Sequence, residues 1–348
     1  MITRTTFLLL GVCLLSSQLA HAVQPPDWNQ FTLADRYSIG GEGGWDLLAY
    51  DKQHHHLFVS RSTHVQVIDA DSGKVVGDIP DTEGVHGIAL ADELNLGFTS
   101  NGKGNSVTVF DLTTLKEIET IRISGLNPDV ILYEPKSKHI LTLNGHSASA
   151  TVIDPISRRE IGTINLPGKP ELAVSDGEGK VFVNIEDKNE VVVVDSGSNK
   201  VLKSYSLDKG IEPTGLAIDP KHHRLFSVCS NHMMVILDSE TGRIVAEAGI
   251  GARPDSAAFD ASLGLAFSSN GDGTLTIVKE NGPEHFSVSQ DVITQTGART
   301  MAYDADNHRA FLVTASFGET PIATKEQPKP RPAIVPNSFV LLVVRLKH

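Results

Sequence analysis

The chain has 348 residues, of which 42 are acidic and 30 are Lys or Arg, giving a net charge of −12. This acidic balance argues against nonspecific nucleic-acid binding, whose affinity comes largely from cationic side chains that neutralise phosphates. Hydrophobic residues make up 40% of the chain, enough for a large core, and an uninterrupted repeat favours one domain over two.

The first segment has the features of a secretory signal peptide. Arg4 precedes the apolar run FLLLGVCLL, and small residues follow as far as Ala20-His21-Ala22. The apolar run is too short to anchor the protein in a bilayer, so we expect residues 1–22 to be removed after export. The periplasm is the expected destination, and secretion is the alternative. We expect no membrane span in the mature chain.

The segment FTLADRYSIG (31–40) is predicted to be a strand that stands before the first repeat. At the other end, the strand FVLLVV (339–344) is followed only by RLKH, so the last repeat lacks an outer strand. We predict that segment 31–40 completes the last blade and closes a ring, because closure removes exposed sheet edges.

Between these ends a short apolar strand recurs at steps of 41 to 43 residues. A period of about 40 to 45 residues built from strands and turns is typical of propeller blades, each a four-stranded sheet. The sequence therefore predicts an all-β, seven-bladed β-propeller, residues 23–348 forming one domain. Its repeats are 44–84, 85–125, 126–168, 169–210, 211–251, 252–297 and 298–348.

Most of the recurring strands end in Asp, as in MVILD (234–238), and a tight turn follows, here SETG (239–242). Such an Asp can accept hydrogen bonds from the backbone amides of the turn. We assign these Asp residues a structural role.

The strand that precedes each Asp-ended strand, the second strand of its blade, carries a resemblance to a known family. Four of these strands resemble the Tyr-Val-Thr-Asn consensus of the YVTN-repeat propellers: FVSR (58–61), FTSN (98–101), LTLN (141–144) and FSSN (267–270). Within that family the sequence is most similar to the exported, YncE-like bacterial members. The resemblance covers nearly the whole mature chain and implies a seven-bladed propeller and export. It implies no single activity, since such propellers serve unrelated functions.

The candidate functional surface is one mouth of the central channel. The residues five positions before the acid that ends each inner strand should ring this mouth: Asp46, Gly87, Asp129, Glu171, Thr214, Asp255 and Arg299. His86 stands beside Gly87, and Trp45 beside Asp46 should add an aromatic platform. We predict a ligand-binding surface made of Trp45, Asp46, His86, Asp129, Glu171, Asp255 and Arg299.

Crowded carboxylates repel one another, and their pKa values rise unless a cation or Arg299 compensates. A ring of oxygen ligands is also what Ca²⁺ prefers, so a divalent cation held by Asp129, Glu171 and Asp255 is one hypothesis. Calcium-dependent propeller hydrolases, which hold a metal at this mouth, support it by analogy. In the alternative hypothesis, the acids cap strands and face water.

Two functions remain open from the sequence. The first is a scaffold that binds a small molecule or an exported protein at the channel mouth and has no chemistry of its own. The alternative is a metal-assisted hydrolase or lactonase acting at an acidic mouth. The chain contains no Walker loop, H-E-x-x-H, G-x-S-x-G or paired-cysteine motif that would decide between them.

Three further features have simpler interpretations. Cys229, the only cysteine outside the leader, is expected to be a small buried hydrophobe. The histidines between first and second strands are expected to be separate turn residues on the opposite face. The proline-rich insertion 318–337 should emerge on the mouth face, where a lid or a partner contact is the usual role of a long loop.

Overall fold

The computed structural model describes residues 30–324 and 330–347, so the predicted signal peptide at 1–22 lies outside the described residues. Within these ranges the chain forms seven antiparallel four-stranded sheets. The helical elements of these ranges are two short 3-10 turns, Asp92–Leu94 and Glu186–Lys188. The strands are β1 (Phe31–Ser38), β2 (Leu48–Asp51), β3 (His56–Ser60), β4 (Val65–Asp69), β5 (Val75–Ile79), β6 (Val85–Ala91), β7 (Leu96–Asn101), β8 (Ser106–Asp111), β9 (Glu117–Arg122), β10 (Pro128–Glu134), β11 (His139–Asn144), β12 (Ser149–Asp154), β13 (Arg159–Asn165), β14 (Pro170–Ser175), β15 (Lys180–Ile185), β16 (Glu190–Asp195), β17 (Lys200–Ser206), β18 (Pro213–Asp219), β19 (Arg224–Cys229), β20 (Met233–Asp238), β21 (Ile244–Gly249), β22 (Pro254–Asp260), β23 (Leu265–Asn270), β24 (Thr274–Gly282), β25 (His285–Ile293), β26 (Met301–Asp304), β27 (Arg309–Thr314) and β28 (Val340–Leu346).

Each sheet is one blade, and six blades are built from four consecutive strands, starting with β2–β5. The seventh has the order β1-β28-β27-β26, in which the first strand of the fold supplies the outer strand of the last blade. β1 pairs antiparallel with β28, from Phe31 opposite Leu346 to Ser38 opposite Val340. The predicted seven-bladed propeller and its closure by the N-terminal strand are confirmed.

The closing strand is also fastened to blade six. The side chain of Gln290 in β25 accepts a hydrogen bond from the Phe31 amide at 2.9 Å. The same side chain donates to the Phe31 carbonyl at 2.7 Å. The Phe31 ring is buried and packs edge-on against Phe267, with centroids 5.2 Å apart. The closure therefore combines a full strand pairing with an anchor on the neighbouring blade.

The core lies between blades rather than inside a single sheet. Strands such as β16, whose Val191–Val194 side chains are all buried, have apolar residues on both faces because each sheet packs against two others. An equivalent aromatic in the second strand of six blades is fully buried: Phe58, Phe98, Phe182, Phe226, Phe267 and Phe311. These rings correspond to the first position of the four-residue repeat consensus.

The asparagine of that consensus is buried and saturated with hydrogen bonds. Asn101 Nδ2 donates to Ser106 Oγ at 3.3 Å and to Thr108 Oγ1 at 2.9 Å. Its Oδ1 accepts from Thr99 Oγ1 at 2.8 Å. The same pattern recurs around Asn144 and Asn270. The side chain therefore ties the second strand of a blade to the third without leaving a buried polar atom unpaired.

The Asp residues that end third strands cap turns, as expected. Asp238 Oδ1 accepts from the amides of Glu240 at 3.1 Å and Thr241 at 2.9 Å. Gly242 has a φ of 76°, and a Cβ there would overlap the Tyr205 ring. Glycine is thus required both by the backbone conformation and by the close approach of the ring.

Cys229 is buried, and this burial raises the pKa of its thiol to about 12, as expected for a small hydrophobe. Within the described ranges, none of the helices has the length and hydropathy to cross a bilayer.

Candidate functional site

A cavity of about 500 Å³ opens where the inner strands begin. Six of the seven ring positions predicted from the repeat line it: Asp46, Asp129, Glu171, Thr214, Asp255 and Arg299. Four of these follow directly after the proline that begins an inner strand, because the repeat places equivalent positions at the same turn of each blade: Asp129, Glu171, Thr214 and Asp255. Gly87 is not part of the lining, but its neighbour His86 contacts Asp46.

Hydrogen bonds between neighbouring blades fix the backbone around this mouth. Asn184 Nδ2 in blade four donates to the Thr214 carbonyl of blade five at 2.9 Å. Thr214 Oγ1 in turn donates to the Pro254 carbonyl of blade six at 3.0 Å. Ser100 Oγ donates to the Asp129 carbonyl from blade two to blade three. The ring residues are therefore positioned before any ligand arrives.

Asp46, His86 and Asp129 form a cluster from three consecutive blades. His86 Nδ1 lies 2.7 Å from Asp46 Oδ2 and 3.6 Å from Asp129 Oδ1. The hydrogen bond with Asp46, supported by the charge of Asp129, raises the pKa of His86. Burial raises the pKa of Asp129, although His86 opposes this effect. The cluster therefore favours a protonated imidazole that bridges two carboxyl groups.

Glu171 is paired with a base in its own blade. Lys169 Nζ lies 2.8 Å from Glu171 Oε1 and also contacts Glu186. Burial raises the pKa of Glu171 to about 7, even though Lys169 favours its ionised form. Burial lowers the pKa of Lys169, but the carboxylates of Glu171 and Glu186 have the larger combined effect, so the pKa is raised.

Asp255 and Arg299 form the ion pair of blades six and seven. Arg299 Nε lies 3.2 Å from Asp255 Oδ2, and the Asp255 side chain is only 13% exposed. Burial raises the pKa of Asp255 to about 7, against the influence of Arg299. Arg253, on the same side of the cavity, donates from Nη2 to the Gly271 carbonyl at 2.6 Å.

The cavity lining carries charges of both signs, because bases outside the seven predicted ring positions join the acids. The lining contains the carboxylates Asp46, Asp129, Glu171, Glu186 and Asp255 and the bases Lys169, Arg253, Arg299 and Arg331. Sequence reasoning missed three of the bases. Lys169 and Arg253 each stand directly before the proline that begins an inner strand, which is a signal that could have placed them at the mouth.

Trp45 does not line the cavity. Its ring lies 5.3 Å from that of Phe339 and 6.1 Å from that of Phe317, where the insertion leaves blade seven. In place of the expected open platform, Trp45 is half-buried packing beneath this segment.

The insertion 318–337 returns across the mouth face through a short bridge. The Gly318 amide donates to the Ala333 carbonyl at 2.8 Å, and Phe317 pairs with Ile334. Arg331 of the returning segment lines the cavity, which agrees with emergence on this face. Residues 325–329 of the insertion lie outside the described residues.

Arg61, on a loop of the same face, has a structural role. Its side chain is buried over the Phe339 ring, 3.7 Å from the centroid. The guanidinium donates to the carbonyls of Glu42 at 2.8 Å and Gly44 at 3.2 Å. Arg61 thereby holds the segment that connects the closing strand to blade one.

The three predicted metal ligands share the cavity but not a single cluster. Asp129 groups with Asp46 and His86, whose potential ligand atoms lie within 4.8 Å of one another. Glu171 and Asp255 are instead paired with Lys169 and Arg299. Two carboxylates and an imidazole suit Zn²⁺ or a similar transition metal better than Ca²⁺, which prefers an all-oxygen set. A calcium site on the predicted residues stays a prediction.

Three histidines on the opposite face each contact a buried aspartate. His54 Nδ1 lies 2.7 Å from Asp51 Oδ2, and His308 Nδ1 lies 2.7 Å from Asp260 Oδ2. His222 lies 2.6 Å from Asp219 and 3.5 Å from Glu280. His54 and His222 each contact the aspartate three residues earlier and so secure their own turns, whereas His308 of blade seven contacts Asp260 of blade six. The three pairs lie in separate places, in line with the expectation of separate turn histidines.

Comparison with solved structures finds the same architecture in distant proteins. A chain of the mitotic checkpoint complex aligns with a TM-score of 0.73 at 14% identity, over 99% of both chains. U3-55K aligns with a TM-score of 0.73 at 10% identity, over 89% of this chain and 99% of its own. Hydrazine synthase from Kuenenia stuttgartiensis aligns with a TM-score of 0.50 at 16% identity, over 68% of this chain and 96% of its own.

No family model and no curated protein matches the sequence. At these identities the structural likeness shows the fold alone.

Proposed function

We propose that this protein is an exported, YVTN-type propeller that binds a small polar ligand in the mouth cavity and has no chemistry of its own. The observation that carries the proposal is the cavity itself, which is lined by ionisable side chains from blades one, three, four, six and seven. Its volume of about 500 Å³ falls within the range of about 300 to 1,000 Å³ that is typical of small-molecule pockets.

Two further features support ligand binding over a purely structural role for these residues. Burial raises the pKa of Asp129, Glu171 and Asp255, so their arrangement costs stability that a structural role does not require. The inter-blade hydrogen bonds at Thr214 and Asp129 hold the lining rigid, which lowers the entropy lost on binding.

A ligand screen with a blocked cavity tests the proposal. Ser230 lines the cavity, and Ser230→Trp should fill part of it. Ser198, exposed on an outer turn, gives the matched control Ser198→Trp. The wild type and the control should gain thermal stability from at least one member of a panel of amino acids, organic acids, sugars, nucleotides and divalent cations. Ser230→Trp should lose that gain, since only native-state binding stabilises the fold. Equal gains in all three proteins would show that binding lies elsewhere.

Export has its own test. A fusion of residues 1–22 to alkaline phosphatase, which is active only after export, should give activity in a Gram-negative host. An Arg replacing Leu10 in the apolar run should abolish it. Activity retained by that variant, or absent from the unmodified fusion, would contradict an exported protein.

A hydrolase remains the second candidate because of one specific arrangement. The His86 ring is oriented by Asp46 at 2.7 Å, and the pKa of Glu171 is raised to about 7, which suits proton transfer near neutral pH. Hydrolysis of lactones or p-nitrophenyl esters that His86→Gln abolishes would favour this candidate. Turnover unchanged in that variant would assign it to a contaminant or another site.

A further inference from the structure

The charges around the cavity are separated by blade. Blades one to four contribute Asp46, Asp129, Glu171 and Glu186, with Lys169 as the one base among the lining residues of that arc. Blades six and seven contribute Arg253, Arg299 and Arg331, with Asp255 as their only acid in the lining. Blade five separates the two arcs with the neutral Thr214 and Ser230.

Internal pairing leaves each arc with an excess of one sign. On the acidic side, Lys169 serves both Glu171 and Glu186, and His86 serves both Asp46 and Asp129. Four carboxyl groups therefore share two bases.

On the basic side, the ion pair that Asp255 makes within the described residues is with Nε of Arg299, whose side chain is 49% exposed. Arg253 and Arg331 also line this arc, so three guanidinium groups share one carboxyl group.

We propose that the ligand is a small zwitterion that carries a carboxylate and a primary ammonium group. This inference rests on the proposed function of the cavity. The carboxylate lies against the guanidinium groups of Arg299 and Arg253, whose paired N–H donors match its geometry. The ammonium lies against Asp46 and Asp129. A ligand of one sign would leave the opposite arc desolvated and uncompensated, which costs binding free energy.

The probes vary the separation of the two charges. The arginines and the Asp46–Asp129 pair belong to different blades around one mouth, so the probes are linear molecules with the two charges at their ends. The ω-amino acids from 4-aminobutyrate to 8-aminooctanoate give a series of increasing separations. Hexanoate carries only the carboxylate, and hexylamine carries only the ammonium group.

Calorimetric titration with these probes tests the inference. We expect the best ω-amino acid to bind about tenfold more tightly than hexanoate or hexylamine, each tested against the same protein. Arg299→Gln should weaken binding of the ω-amino acid and of hexanoate and leave hexylamine unchanged. Asp46→Asn should weaken the ω-amino acid and hexylamine and leave hexanoate unchanged. Lys138→Gln and Asp306→Asn, on exposed turns of other regions, serve as charge-matched controls.

The outcomes separate this inference from the proposed function. If hexanoate or hexylamine binds as tightly as every ω-amino acid, the ligand is not a zwitterion, while the cavity remains a binding site. If none of these probes binds, but another ligand binds to the wild type and not to Ser230→Trp, the proposal of a zwitterionic ligand is likewise wrong. Failure of the proposed function itself would appear as ligand binding that Ser230→Trp does not change.

Discussion

Asn101, Asn144 and Asn270 occupy one position of the repeat and make equivalent hydrogen bonds in three blades. Each is almost fully buried, and each has Ser or Thr partners in the following strand. The recurring asparagine therefore reflects a requirement that every buried polar atom be hydrogen-bonded, because an unpaired buried amide costs more free energy than a hydrogen bond returns.

Replacing one of these amides should therefore be costly. We expect Asn101→Ala to lower the free energy of unfolding by about 2 to 3 kcal/mol, since it removes the acceptor of the buried Thr99 hydroxyl and a donor to Thr108. Asn281→Ala, on an exposed hairpin, should change it by less than about 0.5 kcal/mol. Urea unfolding followed by fluorescence measures both, and equal effects would contradict the account.

The raised pKa of Asp255 predicts that the stability of the fold decreases as the pH rises. Its pKa is raised to about 7 in the fold from its ordinary value of 3.8, so between these values the folded state binds more protons than the unfolded state. Wild-type stability should therefore fall as pH rises from 4 to 7, relative to Asp255→Asn, by at most about 1.4 kcal/mol per pH unit. Unfolding midpoints of both proteins across this range give the difference. A difference that stays constant or grows in favour of wild type would be inconsistent with a raised pKa.

Among the elements, β1 has the largest influence on the closure of the ring. It contributes a full antiparallel pairing with β28, and Phe31 is fixed between that pairing and blade six. The anchor matters because a lone outer strand would be held only at one edge and would separate easily from the sheet.

Removing the anchor should loosen the closure before the rest of the fold. Phe31→Ala should cost about 3 to 5 kcal/mol, because it leaves a cavity beside Phe267. Gln290→Ala should cost about 1 to 2 kcal/mol, and Arg36→Ala, an exposed residue of the same strand, should cost little. Hydrogen exchange of β1 amides and urea unfolding test the order. Exchange in β1 unchanged by both anchor variants would mean that β28 alone holds the strand.

For the whole molecule, the period of the sequence predicts the architecture and the positions that ring the mouth. The same logic finds Asp46 and Asp129 because a periodic strand starts at the same place in each blade. It does not find Arg331, because the insertion has no counterpart in other blades. Nor does it show that Lys169 neutralises Glu171 or that Trp45 packs on Phe339, since these depend on side-chain directions that spacing leaves open.

Circular permutation tests whether a shared blade stabilises the ring. The ends of the described fold are adjacent, since the Lys347 amide donates to the Gln30 carbonyl at 2.8 Å, so a short linker can join them. Opening the chain between Ser157 and Arg158 makes β13 a new closing strand within blade three. Opening it between Pro167 and Gly168, in the loop between blades three and four, leaves every blade built from consecutive strands. In that permutant no blade combines strands from the two ends of the chain.

We expect the first permutant to approach wild-type stability and the second to unfold at a lower urea concentration, because its terminal blades meet only through side chains. The unpermuted protein is the reference. Equal midpoints for the two permutants would show that the shared blade adds nothing to the ring.

The pairing of β1 with β28 also sets the order in which the molecule can be completed. Asp35 in the first strand meets Arg345 in the last across 310 positions of sequence. A ribosome makes the first strand long before its partner exists, so β1 must stay unpaired for almost the whole of synthesis. Contacts of such long range also slow folding. The ring can therefore close only after β28 is made, and until then β1 is open to pairing with wrong strands.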